Sequence, residues 1–571
     1  MNKRLAGLTG VLLYALSPAL WATDNQVAIA SAHPLATESG LEILAQGGNA
    51  FDAAIAVSAA LAVVEPYSSG IGGGGFYLLH RAEDGLETFI DARERAPLAA
   101  TRNMYLDAHG EVIPRASMDG PLAAGIPGVP AGLAHLAENY GALPLAQSLA
   151  PAIRLAREGF SSDAYFQGMA QFRVDALRAS PEAARLFLDA GAPPRPGKRI
   201  VQSDLADTLQ QLAERGRDGF YAGDVAQRLI RGVRASGGIW SARDLSEYQV
   251  IEREPIRAEY RGMKVISAPP PSSGGVALAE MLNILADIDL RALDPAQRSH
   301  WIVEAMRRAY RDRAEYLGDP DFVQMPLARL LDPMYAAGLR AGIRGDKATP
   351  STVLPIVGGA EGQGRDTTHF SILDAAGNRV AATLSVNYPF GSGFVVPGTG
   401  VLLNDEMDDF SAKPGVPNAY GLIGAEANAI APGKRMLSSM TPSFLEYEDR
   451  IAIAGTPGGS RIITMMLLAA LDFWAGADAD GMVSRLRFHH QFLPDRVQYE
   501  DGVAGNRAAD IAWLEAMRRL GHDMEPVQGG YGNMQVVVWN PTTGAMNAAS
   551  DPRGIGKAEV RSLPAPEPGP Q

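Results

Sequence analysis

Apolar and polar positions divide the chain into short stretches whose period keeps changing. Leu41, Ile43 and Leu44 fall at helical spacing and stop at Gly47-Gly48, and an alanine-rich run from Ala53 to Val64 ends before Pro66. Two helices are expected here. Gly70, Gly72 and Gly75 come next, followed by Phe76-Tyr77-Leu78-Leu79, which reads as a strand. Residues 132–250 are rich in Ala, Leu, Arg and Glu at helical spacing; Val265–Gly275 runs from a strand into a proline turn, and a long helical tract extends toward Tyr316.

The pattern breaks at Val357–Arg365 (VGGAEGQGR), a polar, glycine-rich stretch without apolar period that predicts a flexible connector. Asp366-Thr367-Thr368-His369-Phe370-Ser371-Ile372-Leu373 then alternates like a strand, turns at Ala376-Gly377-Asn378 and returns through Val380–Val386. A hairpin whose first strand begins at Thr367 follows from this. Farther on, Ile462–Leu471 is too short to span a bilayer and reads as a buried helix.

Composition narrows the fold class. With 571 residues, 46% of them apolar, and 62 glycines and 39 prolines, the chain suits many short elements in a layered mixed α/β architecture. Its net charge of −13 disfavours a nucleic-acid partner. Lys3 and Arg4 ahead of the mostly apolar Leu5–Leu20, with Ala22 as a small residue at the cut, mark residues 1–22 as a signal peptide. A mature chain starting near Thr23 is expected, carrying −15 after loss of two basic residues, exported to the periplasm or the medium, and without a stable membrane span. The absence of cysteine excludes disulfides, thiolate metal sites and a cysteine nucleophile.

Candidate chemistry centres on Thr367. A threonine hydroxyl needs an adjacent base, and a chain-terminal threonine can use its own α-amine, which titrates near ~7.7–8.0. A flexible connector abutting a strand that begins Asp-Thr-Thr-His is what a precursor of such a site would show. Read alone, Thr367 is equally an ordinary strand residue. Gly70-x-Gly-x-x-Gly75 leaves a helix and enters a strand, the reverse of a dinucleotide loop. His369, His489 and His490 have no metal-ligand spacing, and no serine sits in a Gly-x-Ser-x-Gly elbow. No metal and no cofactor are expected.

The downstream pattern adds to this: GGNAFDAAIAV, IGGGGF, PPPSSGG, NDEMDDFSAKPGVPNAYGLIG, PGGSRI, RFHHQ and ASDPR occur in order along nearly the whole mature chain. Together they resemble the gamma-glutamyltransferase family. The resemblance implies the four-layer αββα sandwich of N-terminal-nucleophile hydrolases, cut autocatalytically between Asp366 and Thr367 into a large chain, 23–366, and a small chain, 367–571, that share one core. It implies Thr367 as nucleophile and base, backbone N–H groups of Gly458 and Gly459 as oxyanion hole, and Ser385 where many members carry a second threonine bonded to the catalytic amine. Arg93 is implied to clamp the substrate α-carboxylate with Ser438 and Ser439. Asn387, Glu406 and Asp409 would receive the ammonium, and Pro414–Gly424, with Tyr420, would form a lid loop. The expected reaction is cleavage of γ-glutamyl amides such as glutathione, with transfer to water or to an amino acid or peptide amine. A glutaryl-amide acylase and a non-catalytic exported homologue are the alternatives, and retention of Asp409 speaks against the acylase.

Overall fold

The computed structural model describes residues 25–354, 367–501 and 511–563. The expected signal peptide, the connector at 357–365 and Asp366 lie outside these residues.

Local capping chemistry starts the first helices. Helix α1 (Pro34–Ala45) opens on a proline, whose missing N–H has no intrahelical partner to lose at that position. Helix α2 (Ala50–Val64) opens with a capping box: Asn49 Oδ1 accepts from the N–H groups of Phe51 and Asp52, and an Asp52 carboxylate oxygen accepts from the Asn49 N–H. This gives the GGNAFD segment a structural reason. Every residue of α2 is buried, and its small side chains let it lie close against a sheet.

Among the described residues, thirteen strands build two sheets, each antiparallel throughout. The upstream strands are β1 (Gln26–Ser31), β2 (Gly74–Arg81), β3 (Leu86–Ala92), β4 (Ile251–Arg253), β5 (Ile256–Tyr260) and β6 (Met263–Ser267). Those after Asp366 are β7 (Thr368–Leu373), β8 (Arg379–Ser385), β9 (Ser443–Tyr447), β10 (Arg450–Gly455), β11 (Gln535–Trp539), β12 (Met546–Ser550) and β13 (Lys557–Ser562). The first sheet has the order β13-β1-β7-β8-β2-β3-β4 and the second β12-β11-β10-β9-β6-β5. Strand β1 lies between two strands from beyond Asp366, so the two halves of the chain interlock in one sheet.

Period-two alternation assigns the layers. In β2, Phe76 and Leu78 face an inter-sheet core with Ile266, Leu373, Ala381, Phe444, Ile453 and Val537, while Tyr77 and Leu79 face α1 and α2 with Phe370, Ile372, Val380 and Leu384. The second sheet is covered on its outer face by α3 (Gly274–Leu285) and α5 (Ile462–Trp474), with α4 (Pro295–Tyr316) packed on α3. The architecture is an α+β, four-layer αββα sandwich, the arrangement that the resemblance implies. The hairpin expected from Thr367 onward is β7–β8, in the middle of the first sheet, with Leu384 opposite Thr368. Thr367 and Ser385 therefore stand side by side at the same end of the sheet.

The glycine cluster at 70–75 is explained by close approach. A Cβ on Gly73 would lie 2.0 Å from the carbonyl oxygen of Ser385, so only glycine lets the chain pass the end of β8. It is a packing device of the sheet.

Candidate active site

At that end of the sheet, Thr367 Oγ1 is 3.4 Å from Ser385 Oγ, and both residues are buried. Ser385 Oγ accepts the N–H of Asn387 at 2.7 Å. Asn387 has φ +75°, a left-handed conformation that asparagine tolerates better than most residues. Its Nδ2 donates to the Asp405 carbonyl at 3.0 Å, leaving Oδ1 as an acceptor.

The carboxylates are brought in by a 3-10 turn over Glu406–Asp409. Residues three apart eclipse on such a turn, so Glu406 and Asp409 point the same way. Arg93, at the end of β3, meets both: Nη1 lies 2.7 Å from a Glu406 oxygen and Nη2 2.5 Å from Asp409 Oδ2. Its backbone is fixed by Asp91, which accepts the Arg93 N–H and is itself ion-paired with Arg253 and Arg435, and by Tyr248, whose hydroxyl donates to the Arg93 carbonyl at 2.8 Å. The Glu94 carboxylate lies 3.6 Å from Arg93.

Three carboxylates thus surround one buried guanidinium. Burial pushes the Glu406 carboxyl above its ordinary value, opposed by Arg93 and reinforced by Asp409; burial and then Glu406 push Glu94 well above its own. Arg93 feels burial working against its charge, but Glu406, Asp409 and Glu94 together hold it firmly protonated. The buried carboxylates of Glu94 and Glu406 keep spare acceptor capacity that suits an incoming cationic donor.

Ser438 and Ser439 line the same cavity and are held there by the PPPSSGG turn. Ser273 donates its N–H at 2.8 Å and its hydroxyl at 2.7 Å to the Ser438 carbonyl, and the Ser272 hydroxyl donates to the Met440 carbonyl at 2.6 Å. Ser438 Oγ accepts the Met440 N–H at 3.0 Å, so its own proton remains available for donation.

Tyr420 closes the site. Its hydroxyl donates to the Asn387 carbonyl at 2.6 Å, and its ring covers Gly459, where a Cβ would lie 2.2 Å from the ring. Gly458 (φ +140°) and Gly459 (φ +56°) both occupy conformations that favour glycine. The 414–424 loop is held by Asp408, which accepts the Ala419 N–H at 2.8 Å, and by Gln491, whose Nε2 donates to the Gly421 carbonyl at 3.1 Å.

One cavity is lined by Arg93, Thr367, Ser385, Asn387, Glu406, Asp409, Tyr420, Ser438, Ser439 and Gly459, leaving about 20 Å³, room for roughly one water. Every expected site residue described by the structure lines it except Gly458, the immediate neighbour of Gly459. The sequence reading missed Leu422, Met440, Ser460 and Ile462, which complete the wall. It also missed the residues behind the wall: Asp408, Gln491, Ser273 and Arg313, whose Nη2 donates to Ser439 Oγ at 3.1 Å. Asp408 and Gln491 stood inside the NDEMDDF and RFHHQ runs, but an adjacent acidic pair does not reveal which member faces the cavity. His369 is structural as expected: burial depresses it to about 3, and its ring bonds Thr383 and Ser371.

Comparison with known proteins places this geometry. The family model for gamma-glutamyltranspeptidase matches residues 36–561. A glutathione hydrolase proenzyme of Pseudomonas sp. (strain A14) is 47% identical over 86% of this chain and 85% of its own length, and that of Escherichia coli (strain K12) is 40% identical over 93% and 91%. Among solved structures, a cephalosporin acylase from Bacillus halodurans superposes with a TM-score of 0.80 at 30% identity, covering 94% of this chain and 96% of its own. With a family model over most of its length and relatives at this identity, the chain belongs to the gamma-glutamyltranspeptidase family and is an enzyme.

Proposed function

We propose that the protein is a γ-glutamyltransferase and glutathione hydrolase that works through Thr367 once the bond after Asp366 is cut. The reading is supported above all by one observation: Thr367 opens into a cavity whose lining brings together Arg93, Ser438 and Ser439 with Asn387, Glu406 and Asp409. A γ-glutamyl group ends in an α-carboxylate and an α-ammonium, and these walls offer a complementary group to each.

Cleavage frees the Thr367 α-amine. That amine takes the proton from Oγ1 as Oγ1 adds to the γ-carbonyl carbon. The resulting oxyanion is stabilised by the Gly458 and Gly459 N–H groups, donors of a kind that contributes ~2.7–4 kcal/mol each in comparable sites. Collapse breaks the amide bond, the departing amine leaves with the proton from the ammonium, and a γ-glutamyl-Thr367 ester remains. Water or an acceptor amine then attacks the ester carbonyl while the same α-amine takes its proton, regenerating Thr367. Ser385 orients the nucleophile, and Tyr420 with the 414–424 loop admits the donor and then covers it.

The precursor is exported, loses residues 1–22, and yields chains 23–366 and 367–571, of 344 and 205 residues. Glutathione is the proposed donor class; amino acids and peptides are the acceptors. Asp409 distinguishes this reading from a glutaryl-amide acylase, since a glutaryl group has no ammonium for it to receive. Two measurements on the purified protein test the proposal: a denaturing gel, expected to show two chains of those lengths, and turnover of γ-glutamyl against glutaryl anilides. A single uncut active chain, or a preference for glutaryl, overturns it.

A further inference from the structure

Arg313 differs from most of the buried arginines in its partners. Arg93, Arg307, Arg308, Arg435, Arg487 and Arg553 each have a carboxylate in ion-pair contact. Arg313, 5% exposed on α4, makes no ion-pair contact among the described residues; Asp409, the carboxylate whose charge acts on it, lies beyond contact distance. Its Nε donates to Ser273 Oγ at 2.9 Å and its Nη2 to Ser439 Oγ at 3.1 Å. Both partners are neutral hydroxyls. Guanidinium groups stay protonated in proteins, and a buried unpaired charge is costly, so the fold leaves a positive charge here that calls for an anion.

The direction of the hydrogen bonds says where that anion sits. Ser439 Oγ accepts from Arg313, so the Ser439 proton is free to donate, and Ser439 lines the cavity. Ser273 ties the same guanidinium to the Ser438 carbonyl, so Arg313 and the Ser438-Ser439 wall form one braced unit. Arg93 is already engaged by Glu406 and Asp409 and is only in part available to a substrate carboxylate.

We infer that Arg313 is a second cation of the donor carboxylate subsite, acting through Ser439: it polarises that hydroxyl toward the substrate α-carboxylate and supplies the positive charge that Arg93, shared among three protein carboxylates, does not. It is a positioning residue and touches no reacting atom. The inference rests on the proposed donor binding with its α-carboxylate toward Ser438 and Ser439.

The test compares three anilides: γ-glutamyl; 4-aminobutyryl, which lacks only the α-carboxylate; and glutaryl, which lacks only the ammonium. Arg313→Met is expected to raise KM for the γ-glutamyl donor about tenfold with little change in kcat, and to leave KM for the 4-aminobutyryl donor unchanged. Arg313→Lys should recover most of the loss, and Ser273→Ala, which removes one brace, should reproduce part of it. The latter two variants carry the same readout if Arg313→Met fails to yield two chains. An equal rise in KM for both amine-bearing donors, or no rise with γ-glutamyl, overturns the inference while leaving the γ-glutamyl function standing. A wild-type preference for glutaryl does the opposite, because glutaryl retains the carboxylate and its KM should still respond to Arg313.

Discussion

Ser385 Oγ stands 3.4 Å from Thr367 Oγ1 and accepts the Asn387 N–H at 2.7 Å. With that acceptor position filled, the serine proton is directed toward Thr367 or Glu406, so Ser385 orients the nucleophile. Replacing Ser385 by Ala should lower kcat about tenfold with KM within a factor of about two, the loss expected of one hydrogen bond to a reacting group. Ser385→Thr should match or exceed the parent. Steady-state turnover of a γ-glutamyl anilide measures both, and an alanine variant with unchanged kcat would remove Ser385 from the mechanism.

Thr367 supplies both hydroxyl and amine in the proposed reaction. Thr367→Ala should therefore give an uncut chain without turnover, while Thr367→Ser should still be cut, more slowly. A denaturing gel followed over days, together with N-terminal sequencing of any small chain, checks this. Cleavage of the alanine variant at the same bond would assign self-processing to another group.

Gly459 and Tyr420 are matched in shape. A methyl at 459 would lie 2.2 Å from the Tyr420 ring, and at φ +56° an alanine also pays roughly 1–2 kcal/mol of backbone strain. Gly459→Ala should lower kcat/KM on the order of a hundredfold by displacing the ring and shifting the backbone N–H. Combining it with Tyr420→Ala should restore part of that loss, because the ring contact is then gone. If the double variant is no better than Gly459→Ala alone, strain at 459 outweighs the contact.

How much of this was legible in the sequence depended on whether the cause was local. The capping box at Asn49 and Asp52, the period-two β7–β8 hairpin and the apolar α5 are written in adjacent residues, and the ordered motifs carried the cavity wall from Arg93 to Ser439. What stayed hidden acts across long sequence separations. Ser273 holds the Ser438 carbonyl from the other half of the chain, and Arg313 reaches Ser439 from a helix whose pattern showed only its helicity. In the acidic run, Asp408 and Asp409 look alike; the 3-10 turn sends Asp409 to Arg93 and Asp408 to Ser117 and the Ala419 N–H. No periodicity rule separates them before the turn type is known.

Glu406 couples binding to pH and to stability. Burial raises its carboxyl above the ordinary range, so it ionises at higher pH than a free glutamate, and only the ionised form attracts the donor ammonium. The log of kcat/KM should accordingly rise with pH through two groups, this carboxyl and the Thr367 α-amine, with a limiting slope near ~2. Glu406→Gln removes one of them and should reduce the slope to about 1, with a higher KM at neutral pH. A carboxyl whose folded value is raised contributes stability that is fully present below its unfolded value and is lost as pH rises through the folded one. The amide introduced by Glu406→Gln stays neutral across that window, so the variant should melt above the parent at pH 8, and the difference should close toward pH 5. Thermal melts at the two pH values decide it: a variant less stable than the parent at pH 8 would mean that the contact of Glu406 with Arg93 outweighs the cost of burying its charge.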